Sequence, residues 1–80
     1  MTSMETIKLI ELNNNEKAHI TAFNGGRNLT AKLRQYGLFI GDQVRIIRTA
    51  PFNGPILVES GGREIALGKG IAGKIMVKKD

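Results

Sequence analysis

Cysteine and tryptophan are missing from this 80-residue sequence, histidine occurs once, proline twice, and aromatics make up 5% of it. Without cysteine there can be no disulfide, no thiolate metal site and no cysteine nucleophile. No apolar run approaches the roughly 18 residues needed to span a bilayer, so no direct membrane insertion is expected. The start, Met1-Thr2-Ser3-Met4-Glu5, lacks a basic segment leading into an apolar run and does not read as a signal peptide. Acids are also scarce: 7 against 12 lysines and arginines, for a net charge of +5. The length leaves no room for a doubly wound nucleotide-binding domain or a (β/α)₈ barrel. The expectation is a single domain over residues 1–80, soluble, cytoplasmic and basic.

Glycine is plentiful instead, at 10 residues, and it cuts the chain into short pieces with period-two apolar alternation. Residues 17–23 place Ala18, Ile20 and Ala22 on one strand face, and residues 43–49 turn Val44 and Ile46 inward with Arg45 outward. Ile56/Val58, Ile65/Leu67 and Ile75/Val77 continue the pattern. These segments predict an all-β meander rather than βαβ units. Asn53-Gly54, bracketed by Pro51 and Pro55, predicts a projecting hairpin tip with positive φ at the Asn-Gly pair, and Gly61-Gly62 a second tight turn. Closure of the strands into a small barrel would remove exposed edges. The N-terminal stretch Ile7–Leu12 fits either an edge strand or an extended arm packed on the barrel.

One segment breaks the alternation. Leu29, Leu33 and Tyr36 recur at helical spacing, Asn28 suits an N-cap, and Gly37 stands where a left-handed stop belongs. One short helix over about 29–36 is expected, followed by Leu38-Phe39-Ile40 and a turn at Gly41-Asp42. Leu29, Leu33 and Leu38 are expected in the core.

Motifs of catalysis do not hold. Gly68-Lys69-Gly70-Ile71-Ala72-Gly73 matches G-x-G-x-x-G, but seven residues remain after it, too few for the helix and parallel strand of a dinucleotide site. It reads as a glycine-rich connection between strands. Lone His19, on the outer strand face, and scattered Glu11, Glu16 and Glu59 form no metal cluster, and no nucleophile–base set is discernible. No enzyme activity and no cofactor are expected. The basic excess concentrates in residues 21–49, with five bases and one acid, and in 69–80, with four bases and one acid. A basic barrel binding RNA or single strands remains the alternative reading, weakened by the scatter of Phe23, Tyr36, Phe39 and Phe52.

In order and spacing, the strand Ala18–Phe23, the stretch Asn24–Leu33, the core Arg34-Gln35-Tyr36-Gly37-Leu38-Phe39-Ile40-Gly41-Asp42, the Pro51…Gly54-Pro55-Ile56 hairpin, Ile65-Ala66-Leu67 and Ala72-x-x-Ile75-x-Val77 resemble the ferrous iron transport protein A (FeoA) family. The chain departs from the family's pattern at Lys32, Tyr36, Ile40 and Gly68. The same pattern also occurs as an appended domain in metal-dependent repressors, and the lone domain here favours the transport accessory. The resemblance implies a mainly β, SH3-like barrel of five to six strands with one inserted helix. It also implies an accessory role in bacterial ferrous iron uptake, at the inner face of the membrane, through the FeoB transporter and its GTPase domain. Weak self-association is left open. Two docking surfaces are candidates: Arg34, Tyr36, Leu38 and Phe39 after the helix, and Pro51, Phe52 and Asn53 at the hairpin tip.

Overall fold

The computed structural model describes residues 5–80. Its elements are β1 (Ile7–Lys8), β2 (Lys17–Phe23), α1 (Gly26–Gln35), β3 (Gln43–Thr49), β4 (Ile56–Ser60), β5 (Arg63–Leu67), α2 (Lys69–Ala72) and β6 (Ile75–Lys79), with a 3₁₀ turn at Leu9–Glu11. The six antiparallel strands form one sheet in the order β1-β6-β2-β3-β4-β5. β2 to β5 run as the expected meander, but β6 returns to pair with β2 and carries β1 on its far side. This curled sheet is the expected SH3-like barrel, with β1 and β5 as its edges. The N-terminal stretch resolves into a two-residue edge strand and a 3₁₀ turn that buries Leu9.

β2 and β3 have the bounds that the alternation predicts, and Ala18, Ile20, Val44 and Ile46 all point into the core. Ala22 does not. The β2–β6 register shifts between Ile20 and Ala22, and this bulge turns Ala22 outward while Phe23 packs against the core. A second shift lies between Ile46 and Arg48 on β3. Bulges bend a strand and increase its twist, which is how so short a sheet curls around its own apolar face.

The helix begins three residues earlier than predicted. Gly25 caps it without a side-chain hydrogen bond, Gly26 takes φ +79°, and Asn28 lies inside the first turn. Its C-terminus ends as expected at Gly37, φ +83°. The Gly37 N–H donates to the Arg34 carbonyl and the Leu38 N–H to the Leu33 carbonyl, each at 2.9 Å, the paired bonds of a Schellman stop. That motif calls for an apolar contact between the residue after the glycine and the last turn. Leu33 and Leu38 satisfy it, both at 0% exposure.

Gly61 and Gly62, φ +61° and +80°, make the predicted β4–β5 turn. The tip of the β3–β4 hairpin differs from expectation. Positive φ falls on Phe52 (+58°) and Asn53 (+60°), so Asn53 meets the expectation and Gly54 does not. The Ala50 N–H donates to the Pro55 carbonyl at 3.0 Å, and the Gly54 N–H to the Pro51 carbonyl at 3.1 Å. Once Ala50 and Pro55 are paired, the inner turn is 51–54 and its centre must be 52–53. The segment read as a glycine-rich connection contains α2, a single helical turn whose Ala72 is fully buried.

The start of β2 is tied to the end of β6 through Glu16. Its carboxylate accepts the Asn13 N–H at 2.7 Å and faces the Lys79 ammonium at 3.2 Å. The Asn13 hydrogen bond, then Lys79, hold its pKa below the ordinary glutamate value. A depressed folded-state pKa adds stability above the unfolded value, and that stability is lost as pH falls through the folded one. Glu16→Gln is therefore expected to flatten the acid limb of a stability–pH curve below about pH 4.5, the onset of glutamate protonation, measured by urea unfolding. A curve parallel to the parent's would show that Glu16 is uncoupled from folding. At Gly37, an added Cβ would sit 1.9 Å from Nη2 of Arg63, whose guanidinium donates to the Gly37 carbonyl at 3.3 Å. Gly37→Ala should cost about 1–2 kcal/mol from the left-handed backbone alone. Most of that loss should persist in an Arg63→Ala background, because the arginine tip can move and the φ cannot. A double-mutant cycle in which Arg63→Ala restores more than half of the loss would make the clash, not the dihedral, the dominant cost.

Candidate protein-docking site

The Schellman stop sets the first candidate surface. By taking Leu38 inward it throws the next two residues out, so Phe39 and Ile40 stand 48% and 56% exposed. Asp42 fixes them there. Its carboxylate accepts the Phe39 N–H at 2.9 Å, while its own N–H donates to the Phe39 carbonyl at 3.1 Å. The Gly41 N–H bonds the Ile20 carbonyl at 2.7 Å and holds the loop against β2. Arg34 is exposed on the last turn of α1, and Tyr36 is half-buried against the core.

Of the four residues proposed at this end, Arg34, Tyr36 and Phe39 therefore reach the surface. Leu38 does not. It is buried, and its part is to support the loop from beneath. Ile40 is the residue that sequence reasoning missed. Its signal was an aliphatic side chain directly before the Gly41-Asp42 turn, where no strand face could absorb it. Arg27 was also passed over, although its seven-residue spacing from Arg34 puts both on one helix face. Arg27, Thr30, Ala31 and Arg34 line a shallow depression there. Neither Arg27, Lys32 nor Arg34 has a carboxylate within 4.0 Å among the described residues. The result is an exposed apolar pair in the loop after α1 and cations without ion-pair partners on the helix itself, a composition that suits a partner with acidic and apolar surface.

The second candidate is the hairpin tip. Pro51, Phe52 and Asn53 are all exposed, Phe52 at 99%. A bulky residue in the left-handed region costs on the order of 1–3 kcal/mol, and nothing in the fold packs on the Phe52 ring to offset that. Asn53 is held, since its side-chain oxygen accepts from Lys69 Nζ at 3.1 Å. The two surfaces do not meet. They lie at opposite ends of the seven-residue β3, roughly 20 Å apart at about 3.3 Å per residue.

Elsewhere several polar side chains pair with one another. A depression beside the Gly61-Gly62 turn is lined by Arg45, which bonds Glu59 at 2.9 and 3.0 Å and Asn15 at 3.0 Å. His19 pairs with Asp80 at the surface. Among the described residues, no three His, Cys, Asp or Glu side chains gather closely enough to hold a metal ion. Phe23 lies on β2, Tyr36 and Phe39 in the α1–β3 connection and Phe52 at the hairpin tip, so the four supply no continuous stacking row for single strands.

The comparisons agree with this geometry. The FeoA domain family matches residues 7–79. A protein of Methanocaldococcus jannaschii described as a presumptive Fe(2+) transport protein A is 33% identical over 63 residues, covering 79% of this chain and 74% of that protein. The crystal structure of an iron uptake regulatory protein (FeoA) superposes with a TM-score of 0.86 at 33% identity, over 95% of this chain and 99% of the other. A manganese-dependent transcriptional repressor shares the fold alone, with a TM-score of 0.87 at 15% identity over 100% of this chain and 45% of its own. The chain belongs to the FeoA family of small proteins associated with ferrous iron transport.

Proposed function

We propose that this protein is a cytoplasmic accessory of bacterial ferrous iron uptake that docks on the cytoplasmic part of a FeoB-type transporter and regulates it without chemistry of its own. The observation that carries this reading is the surface after α1, where Phe39 and Ile40 stand exposed in a loop closed by Asp42. A loop fixed at both ends loses little freedom on binding, so its apolar area converts efficiently into affinity. Arg34 and Arg27 add charge complementarity, which steers the encounter and fixes orientation. A carbonyl- and carboxylate-satisfied loop also has few groups left for catalysis, which suits a docking module.

The experiment is titration of the transporter's purified cytoplasmic part with the full chain, alongside Arg34→Glu and Phe39→Ser. Each substitution should weaken binding about tenfold or more while leaving the thermal midpoint near the parent's, because both side chains are exposed. Parent-like affinity in both variants would remove this surface from the reading. Absence of binding by the parent, together with single-strand binding that falls steeply with salt, would favour the nucleic-acid alternative instead.

A further inference from the structure

The hairpin tip is left unused by that docking surface, and its chemistry is of another kind. Phe52 is a lone aromatic at a convex apex, 99% exposed. Behind it Ala50, Pro55, Leu57 and Ala66 line a shallow apolar shoulder, together with Arg48. The apex has few polar demands. Pro51 and Pro55 have no N–H, the Ala50 and Gly54 N–H groups are bonded within the loop, and the Asn53 oxygen takes Lys69. No acid occurs from Gln43 to Val58 or from Ile65 to Lys79, so Arg48 and Lys69 flank the apex without counter-charge. Neither has an ion-pair partner among the described residues.

We infer that the tip is a membrane-surface anchor, with Phe52 entering the interfacial layer of an anionic bilayer while Arg48 and Lys69 meet its headgroups. An aromatic apex with a cationic collar suits the polar–apolar boundary of a bilayer under a negative surface, where water and headgroups can serve the open N–H groups of Phe52 and Asn53. It needs no shaped pocket. The left-handed φ of Phe52 accompanies a ring that none of the described residues receives. The inference rests on the transporter reading only for the presence of a bilayer nearby. One aromatic and two cations give weak binding alone, so the anchor works as a second contact added to transporter docking. The distance of about 20 Å along β3 separates the two contacts.

The test uses vesicles and no transporter, so the two readings fail separately. The full chain is mixed with vesicles of an equal phosphatidylglycerol–phosphatidylcholine mixture or of phosphatidylcholine alone. Because the chain has no tryptophan, Phe52→Trp is the sole indole reporter. Its emission should shift to the blue on the anionic vesicles and be quenched by lipids brominated near the headgroup. Phe52→Gly keeps a residue suited to positive φ, so the turn is retained, and it should lower partitioning about tenfold. Lys69→Glu should lower it about fivefold or more. Unchanged Trp emission on anionic vesicles, or parent-like partitioning of Phe52→Gly, would overturn the anchor.

Discussion

The ladder between β2 and β6 is the constraint on which the rest of the molecule depends. A domain of 80 residues cannot hide an apolar face within a flat sheet, because too little of its surface is buried on folding. Returning the last strand to the first long one encloses Ala18 and Ile20 with Ile75 and Val77, all essentially inaccessible. The same ladder holds β1 on its outer side and places Leu9 over the core. Its bulge at Thr21 is the bend that makes the return possible, at the expense of one buried position, Ala22.

From that closure both working ends follow. α1 leaves the end of β2 and stops at Gly37, and the inward turn of Leu38 raises Phe39 and Ile40. β3 then carries the chain to the far end and delivers it into the hairpin tip. A rigid core thus sets the spacing of two small exposed features, and neither needs to move for the other to act. Family membership associates the protein with ferrous iron transport.

The sequence carried much of this, and its failures have physical causes. Strict alternation located β2 and β3 to the residue, because each has one buried face and a register slip would expose it. The bulges were invisible, since they arise from how neighbouring strands must curve and not from any residue type at 21 or 47. Asn28 looked like a cap, yet the backbone freedom of Gly25-Gly26 let the helix start earlier. The tip was misplaced by one residue because the Ala50–Pro55 pairing, not the Asn-Gly dipeptide, chose the turn's centre. Leu38 was expected in the core and also counted among the docking candidates; the Schellman motif draws that position inward, so the core reading holds and the contact reading does not. Ile40 went unnoticed for the complementary reason. What sequence periodicity reports is which face is buried; it says little about residues that a cap or turn redirects.

The two-glycine turn between β4 and β5 settles one more property. With Ser60 paired to Arg63 and Val58 to Ile65, alternate residues of β5 spend their amides on β4, and only Glu64 and Ala66 present N–H and C=O groups outward. The outer rim therefore offers a template of two residues, beside the charges of Arg63 and Glu64, and Arg63 is drawn aside to the Gly37 carbonyl. Such a rim is too short and too charged to serve as a template for another strand.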